Sequence, residues 1–437
     1  MRRINFILLF LLPVVAFTQQ NVLTLEDAIG VALKNNYNIL MAKNDSSGFA
    51  LDKSYINAGF LPRINASAQK VWNTNAQKQE LQNGTKKDTS GIKSNNLQAS
   101  LNLNWTLFDG MKMFITREKI IQFERLGGLA VKNQVITSVA SIVNTYFNIV
   151  RSKLQLKAID EQISINEERV KLADRKFSVG LGAKPELLQA KVDLNARKAA
   201  RLRQLTVIEQ LKQELNQLMA LSQPITYDVM DSIPINTSLQ YADLQNGIVN
   251  TNPTILIARK NIEISKLIVR ERKAEQFPIL TFNSAYNFNR TVNKAVINQF
   301  TPLFNQNRGL NLGLGLTVPI LNNFNTKRLI QQAQLDVQYQ ELFLNNQLSL
   351  VDLALSNAFK DYELEKKSLV LEEENILLAK ENVTIALERF KQGVSTYLEL
   401  REAQISLEQA YDRLIAARYN TKIAETELLK LKGDLVR

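Results

Sequence analysis

Leu97-Gln98-Ala99-Ser100-Leu101-Asn102-Leu103-Asn104-Trp105-Thr106-Leu107 sets an apolar residue at every odd position and an uncharged polar residue at every even one. Successive side chains of a strand point to opposite faces, so this period of two predicts a strand with one apolar and one polar face. The pattern occurs three more times. Ile64, Ala66, Ala68 and Trp72 alternate with Asn65, Ser67, Gln69 and Asn73; Leu280, Phe282, Tyr286 and Phe288 alternate with Thr281, Asn283, Asn287 and Asn289. Leu310, Leu312, Leu314, Leu316 and Val318 alternate with Asn311, Gly313, Gly315 and Thr317. Each strand is roughly ten to thirteen residues, and about ten tilted residues cross a bilayer.

An antiparallel sheet resting on a soluble core shares this alternation. Here, however, the polar faces carry scarcely a charge, and Trp72, Trp105, Tyr286 and Phe288 fall toward strand ends, as interfacial girdles do. The strands are therefore read as transmembrane. A lipid-facing sheet leaves no open edge, and four strands are too few to close a barrel, for which about eight is the practical minimum. The chain must pool strands with copies of itself, and three copies give twelve. The connecting segments, about 74–95 and 290–308, are polar and without period and are read as exposed tips outside the cell.

Working outward, the strands belong to a duplication spanning residues 24–220 and 241–432. Asn36, Ala42 and Leu61-Pro62 reappear 216 residues on as Asn252, Ala258 and Phe277-Pro278. At an offset of 213, Arg175-Lys176-Phe177 with Gly180 becomes Glu388-Arg389-Phe390 with Gly393, and Glu186-Leu187 with Ala190 becomes Glu399-Leu400 with Ala403. A unit of about two hundred residues is too long for a solenoid repeat. Each half reads as helix, two strands, then a long helical hairpin. The first repeat covers 19–220, with strands in 62–107 and a hairpin over 110–220; the second covers 241–437, with strands in 278–320 and a hairpin over 324–432. Residues 221–240 form an irregular linker expected to wrap the outside of the helices. Thr24 before Leu25-Glu26-Asp27 is a helix-capping pattern, and that helix is expected to run to about Gly59 and stop at Pro62.

The hairpins carry heptads. Ile149, Leu156, Ile163, Val170 and Phe177 recur every seven residues, as do Tyr362, Leu369, Ile376, Val383 and Phe390. Ala403, Leu407, Ala410, Leu414, Ala417, Thr421, Ala424, Leu428 and Leu431 alternate spacings of four and three. This is a knobs-into-holes seam. No Pro interrupts Gly110 to Gly180, and seventy helical residues extend about 105 Å at 1.5 Å each. Tight turns at Val179-Gly180-Leu181-Gly182-Ala183 and Gln392-Gly393-Val394-Ser395-Thr396 close the hairpins. The fold class is α+β membrane protein, internally duplicated, with four strands per chain completing a twelve-stranded barrel in a trimer and continuing into a coiled-coil helical barrel.

Residues 1–18 read as a signal peptide, with basic Arg2-Arg3, an apolar run from Ile4 to Phe17 and small residues before Gln19. The chain has no cysteine and no histidine, which excludes disulfides, ordinary zinc sites and Ser-His-Asp or Cys-His catalysis. No cofactor and no enzymatic activity are expected. The net charge of +12 is spread along the helices, without the concentrated patch of a nucleic-acid partner. A passive porin shares the strands, and a coiled-coil surface stalk shares the heptads. Neither needs both.

Leu23-Thr24-Leu25-Glu26-Asp27-Ala28 with Asn35-Asn36, Gly59-Phe60-Leu61-Pro62, Leu107-Phe108-Asp109-Gly110, Arg389-Phe390 with Gly393, and Glu399-Leu400 with Ala403-Gln404 resemble the outer membrane efflux proteins, the TolC-like channel-tunnels. The resemblance implies a homotrimer in outer-membrane lipid that reaches into the periplasm to meet an adaptor protein and an inner-membrane transporter of an efflux or type I secretion system. It implies that the hairpin tips dock the adaptor: Gly180, Leu181, Gly182 and Ala183 in one, Gly393, Val394, Ser395 and Thr396 in the other. It also implies that Glu399 and Glu402, just past the second turn, line a constricted entrance. Ser395 stands where some relatives carry an Arg that latches the entrance, and the lipidated N-terminal Cys of many relatives has no counterpart.

Overall fold

The computed structural model describes residues 21–82, 84–222, 227–294 and 301–435. The signal-peptide reading lies outside the described residues. The elements follow in the order β1 (Asn21–Leu23), α1 (Leu25–Asn35), α2 (Tyr37–Ser54), β2 (Arg63–Glu80), β3 (Lys86–Asp109), α3 (Lys112–Ser178) and α4 (Lys184–Met219). The second half gives β4 (Tyr227–Val229), α5 (Tyr241–Thr251), α6 (Pro253–Ala274), β5 (Ile279–Asn293), β6 (Phe304–Thr317), α7 (Asn325–Lys391) and α8 (Tyr397–Lys432). The chain divides into two compact units. One holds residues up to 42, 131–253 and 349 onward; the other holds 43–130 and 254–348. Each draws on both repeats, so the repeats are not separate bodies.

The sheet unit is a four-stranded antiparallel sheet in the order β2-β3-β5-β6. Its register aligns Ala66, Leu101, Tyr286 and Leu310 across one face, and Ser67, Ser100, Asn287 and Gly309 across the other. The apolar face is uncovered, with Leu312 67% and Leu314 72% exposed. The polar face is knitted by uncharged side chains: Ser67 and Ser100 share a hydrogen bond of 2.8 Å, Asn102 donates to Ser100 at 2.8 Å, and Thr291 donates to Asn96 at 2.8 Å.

Two sequence expectations need correction here. The first hairpin is longer than its apolar alternation: β2 has 18 residues and β3 has 24, so most of the segment read as a loop at 74–95 is strand. Main-chain pairing holds it, helped by Lys78–Asp88 and Lys86–Glu80 ion pairs at 3.3 Å each. In the second hairpin, residues 290–293 and 304–308 of the expected loop are likewise strand, and 295–300 lie outside the described residues. Second, the apolar rows end where Arg308 pairs opposite Phe288, and where Lys70 and Arg290 flank Leu97. Trp72, opposite Asn95, therefore stands beyond the charged row in mid-strand. A register shift between Thr106 and Phe108 also breaks the strict alternation at Leu107.

The helical unit is organised around a core in which Val139, Ile142, Val143, Tyr146, Phe147 and Val150 of α3 meet Leu215 and Met219 of α4, with Ala28 and Ala32 of α1 and Val229 of β4. An eighteen-residue window of α3 is apolar enough by length and composition to cross a membrane. Val139, Ile142, Val143, Tyr146, Phe147, Ile149 and Val150 of the same helix are buried in this core. The linker is not wholly irregular: β4 pairs in parallel with β1, and Asn236 ties it to α7 and α8 by accepting from Tyr362 Oη at 2.7 Å and donating its N–H to Glu425 at 3.0 Å. Residues 223–226 of it lie outside the described residues.

The heptad seam of the second hairpin is buried throughout its middle, with Leu369, Ile376 and Val383 of α7 packed in one cluster with Ala403, Leu407, Ala410 and Leu414 of α8. The first hairpin departs from its own heptads near the turn. Phe177 is 41% exposed whereas its duplicate Phe390 is buried, and the line that α3 turns inward is Gln162, Asn166, Arg169 and Ala173. The opening helix is also interrupted. Asn36 separates α1 from α2 because its Oδ1 accepts the N–H groups of Asn38 and Ile39 at 3.0 and 3.2 Å, restarting the helix, while Nδ2 donates to Leu218 O at 2.6 Å. Its duplicate Asn252 separates α5 from α6 and donates to Leu431 O at 2.8 Å.

Candidate functional site: the hairpin turns and the first turn of α8

Both turns close in the same way. Gly180 and Gly393 take φ of 77° and 76°, a left-handed conformation that glycine adopts without a Cβ clash. Gly180 N donates to Phe177 O and Leu181 N to Lys176 O at 3.1 and 2.8 Å; Gly393 N donates to Phe390 O and Val394 N to Arg389 O at 3.2 and 3.0 Å. The last carbonyls of α3 and α7 are thereby satisfied. Gly182 has a separate reason, since a Cβ there would lie 3.0 Å from Lys176 Cβ and from Phe177 N. Satisfying the backbone leaves the turn side chains outward, with Leu181 82% and Val394 69% exposed.

The helices that leave the turns start differently. Thr396 caps α8 by accepting the N–H of Glu399 at 3.3 Å. Ala183 offers α4 no such side chain, and Pro185 in the first turn fixes the helical φ instead. Thr396 thus holds the backbone of Glu399 in the first turn of α8, where the helix dipole favours a carboxylate. Glu399 and Glu402 are both exposed, on a flank of α8 beside the buried line of Leu400, Ala403 and Leu407. No ion pair joins either to another described residue. Arg401, the neighbour best placed to neutralise them, instead brings Nε to 3.6 Å from Asp193 Oδ2.

That contact leads to a polar cluster inside the helical unit that the heptad reading missed. Arg169 is 1% exposed; its Nη2 donates to Asp193 Oδ2 at 2.6 Å and its Nη1 to Gln404 Oε1 at 2.8 Å. Tyr397 Oη donates to the same Asp193 oxygen at 3.0 Å, and the Arg169 guanidinium lies 5.1 Å from the Tyr397 ring centre. Burial acts to raise the Asp193 carboxyl, but hydrogen bonds from Gln189, Arg169 and Tyr397 outweigh it and hold the group below the usual carboxylate range. Arg197 pairs with Glu408 beside them. The cluster links α3 and α4 to α8 close to both turns. Nothing in it is arranged as nucleophile and base, and no group of three or more acidic residues able to hold a metal occurs among the described residues.

Among curated proteins, the chain is 24% identical to protein CyaE of Bordetella pertussis over 351 residues, covering 78% of this chain and 72% of that one. It is 20% identical to outer membrane protein TolC of Salmonella enteritidis over 353 residues, covering 80% and 71%. The fold superimposes on the outer membrane protein VceC of Vibrio cholerae with a TM-score of 0.76 at 16% identity, covering 94% and 96%. The outer membrane efflux protein family matches residues 28–222 and 246–434, one block in each repeat, and the chain belongs to that family.

Proposed function

We propose that this outer-membrane channel works as a homotrimer, the exit duct of a tripartite efflux or type I secretion system. Substrates would pass from an inner-membrane transporter and its periplasmic adaptor to the outside. The observation that carries the reading is the four-stranded sheet with unpaired edges at β2 and β6. An even number of antiparallel strands ends in opposite directions, so β6 of one copy pairs antiparallel with β2 of the next, and three copies close a ring of twelve. The exposed apolar rows then face lipid. The Asn, Ser and Gln face lines a wet lumen in which no unpaired backbone edge remains. The tip residues Gly180 to Ala183 and Gly393 to Thr396 serve as the adaptor-docking surface. Glu399 and Glu402 form two carboxylate rings at the periplasmic entrance.

The test is native mass spectrometry of the detergent-solubilised protein together with single-channel recording in planar bilayers. A trimer with discrete conductance is expected. A stable monomer that keeps its full strand content, or a trimer with no conductance, overturns the reading.

A further inference from the structure

The buried cluster around Arg169 is short of acceptors. Three side-chain N–H groups in it lack any hydrogen-bond partner: Arg169 Nε, Gln404 Nε2 and Gln162 Nε2. The residues that bear them are 1%, 5% and 3% exposed. The orientation of Gln404 is not arbitrary, because its Oε1 already accepts from Arg169 Nη1, which leaves only its two N–H bonds to find partners. The Asp193 carboxylate is engaged on both oxygens and cannot take them. Asp193 Oδ2 serves Arg169 and Tyr397, Asp193 Oδ1 serves Gln189, and Glu408 serves Arg197.

All three donors belong to residues lining one cavity of about 80 Å³ between α3, α4 and α8. The charged groups lining it are Arg169, Arg197 and Arg401 against Asp193 and Glu408, one more cation than anion. A buried donor without an acceptor forfeits its hydration with nothing in return and destabilises the fold. Hydrophobic helix packing around Ala173, Leu187 and Ala190 immediately below offers no reason to keep three of them together. One water needs only about 10–15 Å³ of such a space, so the cavity admits a species of a few heavy atoms.

We propose that this cavity binds a small monovalent anion of the chloride class, held by Arg169 Nε, Gln404 Nε2 and Gln162 Nε2. The anion neutralises the surplus cation and gives each orphaned donor an acceptor. Arg169 precedes Gly180 by eleven residues and Gln404 follows Gly393 by eleven, about three helical turns in each case. Through its three ligands the ion ties α3 of the first hairpin to α8 of the second, at matched distances from the two turns.

The probe is bromide, applied to the purified, detergent-solubilised full chain. Thermal unfolding is followed while sodium bromide replaces sodium gluconate at constant ionic strength, gluconate being too large for the cavity. A saturable rise in midpoint is expected, with half-saturation shifted at least tenfold to higher bromide in Gln162→Leu, which leaves the Arg169–Asp193 pair in place. Crystals grown in bromide are expected to show an anomalous peak within hydrogen-bonding reach of Arg169 Nε and Gln404 Nε2. A midpoint indifferent to the exchange, an equal response in Gln162→Leu, or a cavity without an anomalous peak overturns the proposal. The crystallographic result on the unmodified chain decides the matter if the variant does not fold.

Discussion

Arg169 Nη2 lies 2.6 Å from Asp193 Oδ2, and this ion pair is made with the arginine 1% exposed. Removing one member of such a pair leaves the other charge buried without compensation, which costs about 3–5 kcal/mol. Asp193→Ala is expected to lower stability by about that amount, read as a fall in the unfolding midpoint of the purified protein. The double variant Arg169→Met with Asp193→Leu removes both charges together and is expected to recover most of the loss. A double variant as unstable as the single one would show that the arginine is not the source of the cost.

The same pair predicts the acid response. Burial alone raises the Asp193 carboxyl, and hydrogen bonds from Gln189, Arg169 and Tyr397 bring it below its ordinary value. A depressed native carboxylate contributes stability that is complete above the unfolded value of about 3.9 and is lost as pH falls through the native value. The difference in stability between the parent chain and Asp193→Asn is therefore expected to be constant from neutral pH down to about 5 and to shrink below about 4. Midpoints measured across that range check it, and a difference that grows on acidification contradicts it.

Asn36 and Asn252 are expected to act as paired caps. Asn36 accepts two first-turn N–H groups of α2 and donates to the carbonyl that ends α4, and Asn252 donates to the corresponding carbonyl of α8. Losing an N-cap side chain costs about 0.5–2 kcal/mol. Asn36→Ala and Asn252→Ala are each expected to shift the denaturant midpoint by that order without altering the slope. Because the two sites are separate, the double variant should be additive to within about 0.5 kcal/mol.

These asparagines show what the sequence made legible. Their duplication at an offset of 216 was visible, but not that each interrupts its helix, because a periodic apolar pattern on both sides of a polar residue reads as one helix. The strands were legible wherever one face meets an apolar environment. They were invisible from Thr74 to Asn95, where both faces are solvated and main-chain pairing with two exposed ion pairs holds the segment. The second hairpin's seam was legible because its partners are Leu and Ala. In the first, Gln162, Asn166 and Arg169 are the buried line, and polar residues on a long charged helix read as its wet side. Only the tertiary partners of Arg169, Asp193 and Gln404, reveal otherwise. Glu186, the duplicate of Glu399, has its N–H held by Ala183 O at 3.1 Å, so a main-chain oxygen stands there where α8 uses the Thr396 hydroxyl.

The turns make a prediction about docking. Closing a turn requires Gly180 and Gly393 but not an apolar Leu181 or Val394, which stand 82% and 69% exposed. Leu181→Glu combined with Val394→Glu replaces that apolar surface with charge while leaving the backbone hydrogen bonds of both turns intact. Export that depends on the adaptor is expected to be lost, with trimer yield unchanged on native gels. Export at the parental rate would remove these two side chains from the docking surface.

The entrance makes the last prediction. Glu399 is fixed in the first turn of α8 by the hydrogen bond from its N–H to Thr396 Oγ1, and Glu402 lies three residues on, on the same side of the helix. Neither carboxylate is paired among the described residues, because Arg401 is drawn toward Asp193. In a threefold assembly each becomes a ring of three carboxylates, and such rings favour cations. Glu399→Gln with Glu402→Gln keeps the shape and the helix cap while removing six charges from the trimer. Cation selectivity in single-channel recordings is expected to fall, and block by multivalent cations added from the periplasmic side is expected to weaken by at least tenfold. Thr396→Val is the contrasting variant: it loosens the cap without touching charge and should leave selectivity in place while destabilising the turn by about 1 kcal/mol. Selectivity and block unchanged in the double glutamine variant would show that both carboxylates face solvent away from the conduction path.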